Sequence, residues 1–118
     1  MEDYQPYVER SERAFKAFKI LWERKLYEDA LSRGYYAIVH LCFAILIKNG
    51  MSAHAELIAK LWQNREKLRI NDEIVRNISR LQSLRENSDY DVVPAVNEAD
   101  LKMVERIVDD LKRVLEDD

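Results

Sequence analysis

The sequence predicts an all-α protein, an up-and-down bundle of about five helices, and three observations carry that expectation. Only two glycines and two prolines occur among 118 residues, so few positions favour turns. Hydrophobic residues make up 47% and charged residues 35% of the chain, the mixture that amphipathic helices need. Apolar residues also recur at steps of three and four along nearly the whole chain, the period of an α-helix with one face turned inward. One domain, residues 1–118, is expected, long enough to bury a core without disulfides or a structural metal.

The first helix, expected over 7–26, sets Ala14, Phe15, Phe18, Leu21 and Trp22 between charged faces that carry Arg10, Arg13, Lys16, Lys19 and Glu23. The second, over 27–49, is apolar nearly all round, with Tyr27, Leu31, Gly34, Ile38, Leu41 and Ile45 on one stripe and Tyr35, Val39, Cys42 and Leu46 on another. Such a helix belongs at the centre of a bundle. Asn49-Gly50 ends it, and Ser52 is placed to cap a third helix over 52–67, with Ala55, Ile58, Leu61 and Trp62 inward. Both tryptophans, Trp22 and Trp62, read as core.

After a turn over 68–70, Asn71 is placed to cap a fourth helix over 72–86, with Ile74, Ile78, Leu81 and Leu84 as its stripe and Asp72 and Glu73 at its positive end. Residues 87–94 hold turn formers and Pro94, which reads as a loop. A last helix begins near Asn97, with Asp100 three residues on, and buries Leu101, Val104, Ile107, Val108, Leu111 and Leu115.

The net charge of −3 gives no overall basic field for nucleic acid, so any such binding needs a local patch. Arg69, Arg76 and Arg80 fall on or near one side of their segment and are candidates to guide RNA phosphates, against the plainer reading of a solvated face. The lone cysteine, Cys42, excludes an intrachain disulfide and reads as a small buried hydrophobe in a reducing compartment. Residues Met1-Glu2-Asp3-Tyr4 lack a basic start and apolar stretch, and the run 35–47 is shorter than the roughly 20 residues a membrane span needs. A soluble cytoplasmic protein without membrane contact is expected. His40 and His54 have no acidic partner at ligand spacing, so neither a metal nor another cofactor is expected.

The chemistry-bearing pair is Arg33 and His40. Seven positions on an α-helix advance about 700°, within roughly 20° of two full turns, so a permanent cation and a titrating imidazole share one stripe. Tyr36 lies between them on nearly the same face and is a candidate substrate-binding residue. Gly34, in a helix interior, calls for a close backbone approach, either within the chain or with a second copy. The structural alternative is that His40 is a hydrogen-bonded core residue and Arg33 pairs with Asp29 or Asp89. His54 reads as exposed or capping.

The run Ala30-Leu31-Ser32-Arg33-Gly34-Tyr35-Tyr36-Ala37-Ile38-Val39-His40 resembles the signature of the HEPN superfamily, in its small stand-alone branch. Lys48-Asn49-Gly50, Ser52-Ala53-His54 with Leu57-Ile58, and Leu84-Arg85 with Asp89-Tyr90 resemble further segments of that family in order, so the likeness runs from Tyr7 to Leu115. The resemblance implies a helical bundle, commonly a homodimer, in which such an Arg and His form a metal-independent, toxin-like ribonuclease site at the dimer cleft. Arg33 and His40 would then be catalytic, the one clamping phosphate and the other moving a proton. It equally allows non-catalytic binding of RNA or nucleotide, or docking to a nucleotidyltransferase partner. Two positions depart from the family pattern: Gly34 stands where a polar residue usually follows the arginine, and Cys42 where the toxin branch has a tyrosine. A purely structural dimer is the remaining alternative.

Overall fold

A computed structural model describes residues 3–53, 56–88 and 96–117. Among them six helices follow in order: α1 (Gln5–Glu23), α2 (Tyr27–Lys48), α3 (Leu57–Gln63), α4 (Arg65–Leu68), α5 (Asp72–Ser88) and α6 (Glu98–Glu116). The all-α architecture is as expected, and no strand occurs among the described residues.

α1 starts with Pro6 in its first turn, where a missing N–H costs nothing. It ends at Glu23, three residues before the expected limit, because Lys25 turns left-handed (φ 62°) and the amide of Leu26 donates back to the Leu21 carbonyl at 3.0 Å. The chain therefore reverses within Arg24–Leu26, and α1 lies along α2 as one arm of a hairpin. α2 closes as expected: Gly50 (φ 76°) takes the left-handed position and the Met51 amide donates to the Leu46 carbonyl at 2.9 Å.

The expected third helix is wrong at its start and its middle. Ser52 and Ala53 are not helical, and the residue before Leu57 is Glu56 in a left-handed conformation, so the helix opens at Leu57 and not at Ser52. Asn64 (φ −113°, ψ 14°) then breaks the segment into α3 and α4, its side-chain amide donating to the Lys60 carbonyl at 2.9 Å. His54 and Ala55 lie outside the described residues. Arg69 (φ 61°) ends α4 at the expected turn. Asn71 Oδ1 accepts from the Ile74 amide at 2.8 Å and caps α5. That helix runs on through Asn87 and Ser88, which were expected in a loop; the rest of that loop lies outside the described residues. α6 opens on a reciprocal box, Asn97 Oδ1 accepting from the Asp100 amide at 3.2 Å and Asp100 accepting from the Asn97 amide at 3.0 Å.

α2 is the central helix, packed by α1, α6 and α5. Leu31, Ile38, Leu41, Ile45 and Leu46 are fully covered, together with Phe18 of α1, Ile78 and Leu81 of α5 and Leu101 and Ile107 of α6. α2 is long and apolar enough to cross a membrane by length and composition, contrary to the sequence expectation, yet 72% of its most apolar window is buried inside the bundle. That burial is what a core helix shows. Trp22 and Trp62 are half-buried at the rim of the core rather than inside it.

Gly34 marks the tightest approach. A β-carbon built there would meet Val104 Cγ1 at 2.6 Å and Phe18 Cδ1 at 2.8 Å. The close backbone approach is thus within the chain, where α1 and α6 cross α2. It also explains the departure at this position: the residue after Arg33 points into the core, and a polar side chain would have neither room nor partner there.

Candidate functional site

Three sides of α2 are covered, which leaves a narrow strip of it reachable: Asp29, Ser32, Arg33, Tyr36, Val39 and Phe43, at helical steps of one to four. The hairpin sets α1 beside this strip and reflects the chain about the Arg24–Leu26 turn, so residues at roughly equal distances from that turn face each other. Tyr7 stacks edge-on to Phe43 (centroids 5.9 Å apart), and Ser11 Oγ donates to the Ala37 carbonyl at 2.8 Å. The same reflection puts Arg10 opposite His40, Ala14 opposite Tyr36 and Ala17 opposite Arg33.

Two openings flank Tyr36. One, of about 200 Å³, is lined by Arg10, Arg13, Ala14, Ala17, Arg33 and Tyr36. The other, of about 500 Å³, is lined by Leu21, Asp29, Ser32, Arg33, Tyr36 and Arg85. Arg33 and Tyr36 are common to both. Arg33 is exposed, and among the described residues no ion pair or hydrogen bond engages its guanidinium, nor those of Arg10 and Arg13. The expected alternative pairing of Arg33 with Asp29 does not form, although both line the larger opening; Asp89 lies outside the described residues. Arg85 is held from α5, its guanidinium over the Tyr35 ring (5.8 Å) and its Nε donating to Ser32 Oγ at 3.4 Å.

His40 is only 5% exposed, at the floor of the strip. Tyr36 covers it, ring centroids 4.1 Å apart and planes inclined at 31°, and Tyr7 and Phe43 close the sides. Its Nδ1 lies 3.0 Å from the Tyr36 carbonyl, which can only accept, so Nδ1 carries the proton and Nε2 keeps the lone pair in the neutral ring. Burial pushes the His40 pKa below its ordinary value; the hydrogen bond to Tyr36 opposes this, and the nearby Arg10 charge adds to it. At neutral pH the imidazole is therefore uncharged and basic at Nε2. Tyr36 itself is 42% exposed, with Ile20 and Leu26 among the most exposed large apolar side chains of the described residues.

The other candidates lie elsewhere. Arg69 lines an opening of about 290 Å³ near the end of α6, with Lys48 and Lys67. Arg76 is exposed on α5 and sits 3.8 Å from Asp72, and Arg80 is exposed on the same helix. None of the three lines either opening beside Tyr36. The cations brought to Arg33 are instead Arg10 and Arg13 of α1 and Arg85 of α5. The sequence held the signal for the first two in the shortness of the α1–α2 turn. Cys42 is buried and burial pushes its thiol pKa up to about 12, so it takes no part in chemistry at neutral pH. Among the described residues no group of three or more His, Cys, Asp or Glu is placed to hold a metal.

A family model of the HEPN domain matches residues 4–117. A UPF0332 protein of Archaeoglobus fulgidus is 31% identical over 82% of this chain and 79% of its own. A protein of Methanocaldococcus jannaschii, described as "Putative toxin MJ0605", is 34% identical over 98% of this chain and 91% of its own.

Proposed function

The chain belongs to the HEPN domain family, and from that premise we propose that it is a cytoplasmic, toxin-like endoribonuclease that cuts RNA without a metal, using Arg33 and His40 at the cleft of a homodimer. The observation that carries this reading is the environment of the two residues: a solvent-facing guanidinium with no carboxylate partner among the described residues and, on the same helix, a neutral imidazole whose Nδ1 donates to the Tyr36 carbonyl and leaves Nε2 as the basic nitrogen. The toxin description of the Methanocaldococcus relative supports the same direction.

In this mechanism RNA supplies its own nucleophile. The 2′-hydroxyl gives its proton to Nε2 of His40 and its oxygen attacks the adjacent phosphorus. The bond from phosphorus to the 5′-oxygen breaks, leaving a 2′,3′-cyclic phosphate, and the departing oxygen takes a proton from solvent. Arg33 holds the phosphate and stabilises the charge that builds on its oxygens. Tyr36 must swing aside for His40 to be reached, since its ring rests on the imidazole. Its exposed, unanchored position on the strip leaves it room to do so. Two copies that join along the edge of this strip and leave it open would bring two such pairs into one cleft.

The test is cleavage of a labelled RNA by the purified protein in EDTA. Activity should survive the chelator and disappear in both Arg33→Ala and His40→Ala, with the helical melting transition retained. A second reading, a non-catalytic module that binds RNA or nucleotide or pairs with a nucleotidyltransferase, is favoured by one observation, the near-complete burial of His40. It is supported if wild-type protein binds but leaves RNA intact.

A further inference from the structure

We propose that the strip on α2 is a track for single-stranded RNA, in which one nucleobase stacks on the free face of Tyr36 while the phosphates on either side of it occupy the two openings, one held by Arg10 and Arg13 and the other by Arg85. This rests on the RNA reading above and names the substrate class and the residues that select it.

The geometry fits one stacked base between two anions. Tyr36 separates the openings and lines both, with one ring face against His40 and the other side left to solvent; this is the state that binds the strand, before the ring moves aside for cleavage. Among the described residues the smaller opening has three arginines and no acid in its lining, and the larger has Arg33 and Arg85 against Asp29. Both therefore favour an anion, and Arg33, shared between them, sits where the backbone would cross from one to the other. Guanidinium groups match phosphate oxygens in pairs. Arg10 and Arg13, three residues apart on α1, present neighbouring donors along the same helix face. A duplex cannot use this arrangement, because its bases are already stacked on each other and none can be laid on the tyrosine. The stacking surface accepts any base, so the track selects strandedness more than sequence.

Binding of a 2′-O-methyl oligonucleotide of about 12 residues tests this, because the methyl groups remove the nucleophile and affinity is read without turnover. Loss of the stacked ring in Tyr36→Leu should weaken the single strand about 5- to 150-fold, while Tyr36→Phe keeps it. Arg10→Ala, Arg13→Ala and Arg85→Ala should each weaken binding and reduce the slope of log affinity against log salt by about 0.7. Lys102→Ala, on the far helix α6, serves as the charge control and should leave both unchanged. A duplex of the same length should bind at least about tenfold more weakly. Thermal melts establish that each variant is folded.

The track is overturned if Tyr36→Leu binds as wild type does, if duplex and single strand bind alike, or if Arg76→Ala and Arg80→Ala carry the loss in place of Arg10 and Arg13. Should any of these occur while wild type still cleaves unmodified RNA in EDTA, the track alone fails and the ribonuclease stands. Wild-type protein that neither binds the oligonucleotide nor cleaves RNA sinks both.

Discussion

Arg33 and Gly34 are consecutive residues on one helix and live in opposite worlds. Gly34 faces Phe18 and Val104, both fully buried, so closely that a single added carbon would fall within 3 Å of each. Arg33, about 100° around the axis, faces solvent without a partner among the described residues. The packed side of α2 has one solution, set by volume; the open side is set by where that packing leaves the remaining side chains. The site is thus held in place by residues that never touch it, and stability and chemistry on this helix should respond to mutation almost independently.

The separation can be broken hardest at Phe18. Phe18→Ala removes a fully covered ring from the crossing of α1 with α2 and should cost about 3–5 kcal/mol in urea unfolding. A loss below about 1 kcal/mol would mean the packed side is not the anchor described. Gly34→Ala comes next. Alanine is the better helix former by about 1 kcal/mol, but the new methyl must displace Val104 and Phe18, which have nowhere to go. A net destabilisation of about 1–2 kcal/mol is expected, and a more stable variant would show that the crossing is slack.

His40 stands between the two regimes, and pH probes it. Its folded pKa lies below the ordinary value of 6.5, so the unfolded chain binds a proton that the folded protein resists. The stability this contributes is present above pH 6.5 and is lost as pH falls toward the lowered value. The melting temperature should therefore drop from pH 7 to pH 5, and part of that drop should vanish in His40→Gln. An equal drop in both proteins would assign the acid sensitivity to other groups. The smallest effect on stability belongs to Arg33→Ala, expected within about 0.5 kcal/mol of wild type because the side chain is exposed and has no ion-pair partner among the described residues, while RNA affinity falls. A large loss of stability there would show that Arg33 is structural after all.

Much of the fold was legible. The stripe of α6 and its Asn97–Asp100 box, the central place of α2 and the Asn71 cap all follow from spacing and from which side chains can accept a backbone N–H. The third helix was not, because Ser52 has the chemistry of a cap but the helix opens only at Leu57, after a left-handed Glu56, and Asn64 breaks a run whose apolar period continues across it. For the site, helical pitch alone put Arg33, Tyr36 and His40 on one strip. It could not supply the company they keep. Periodicity within a segment says which residues share a face of that helix and nothing about which neighbour lies against it, so Arg69, Arg76 and Arg80 drew notice on their own segment while Arg10, Arg13 and Arg85 are the cations delivered to Tyr36.

The turn at Arg24–Leu26 works as a gauge for that delivery. Because α1 is folded back about a fixed hinge at Lys25, the position of each α1 arginine along α2 depends on the number of residues in the reversal. Adding one residue would slide α1 by about 1.5 Å and rotate its face by about 100° unless the new residue bulged outward. Length at this corner, rather than any side chain in it, keeps the two halves of the site in phase.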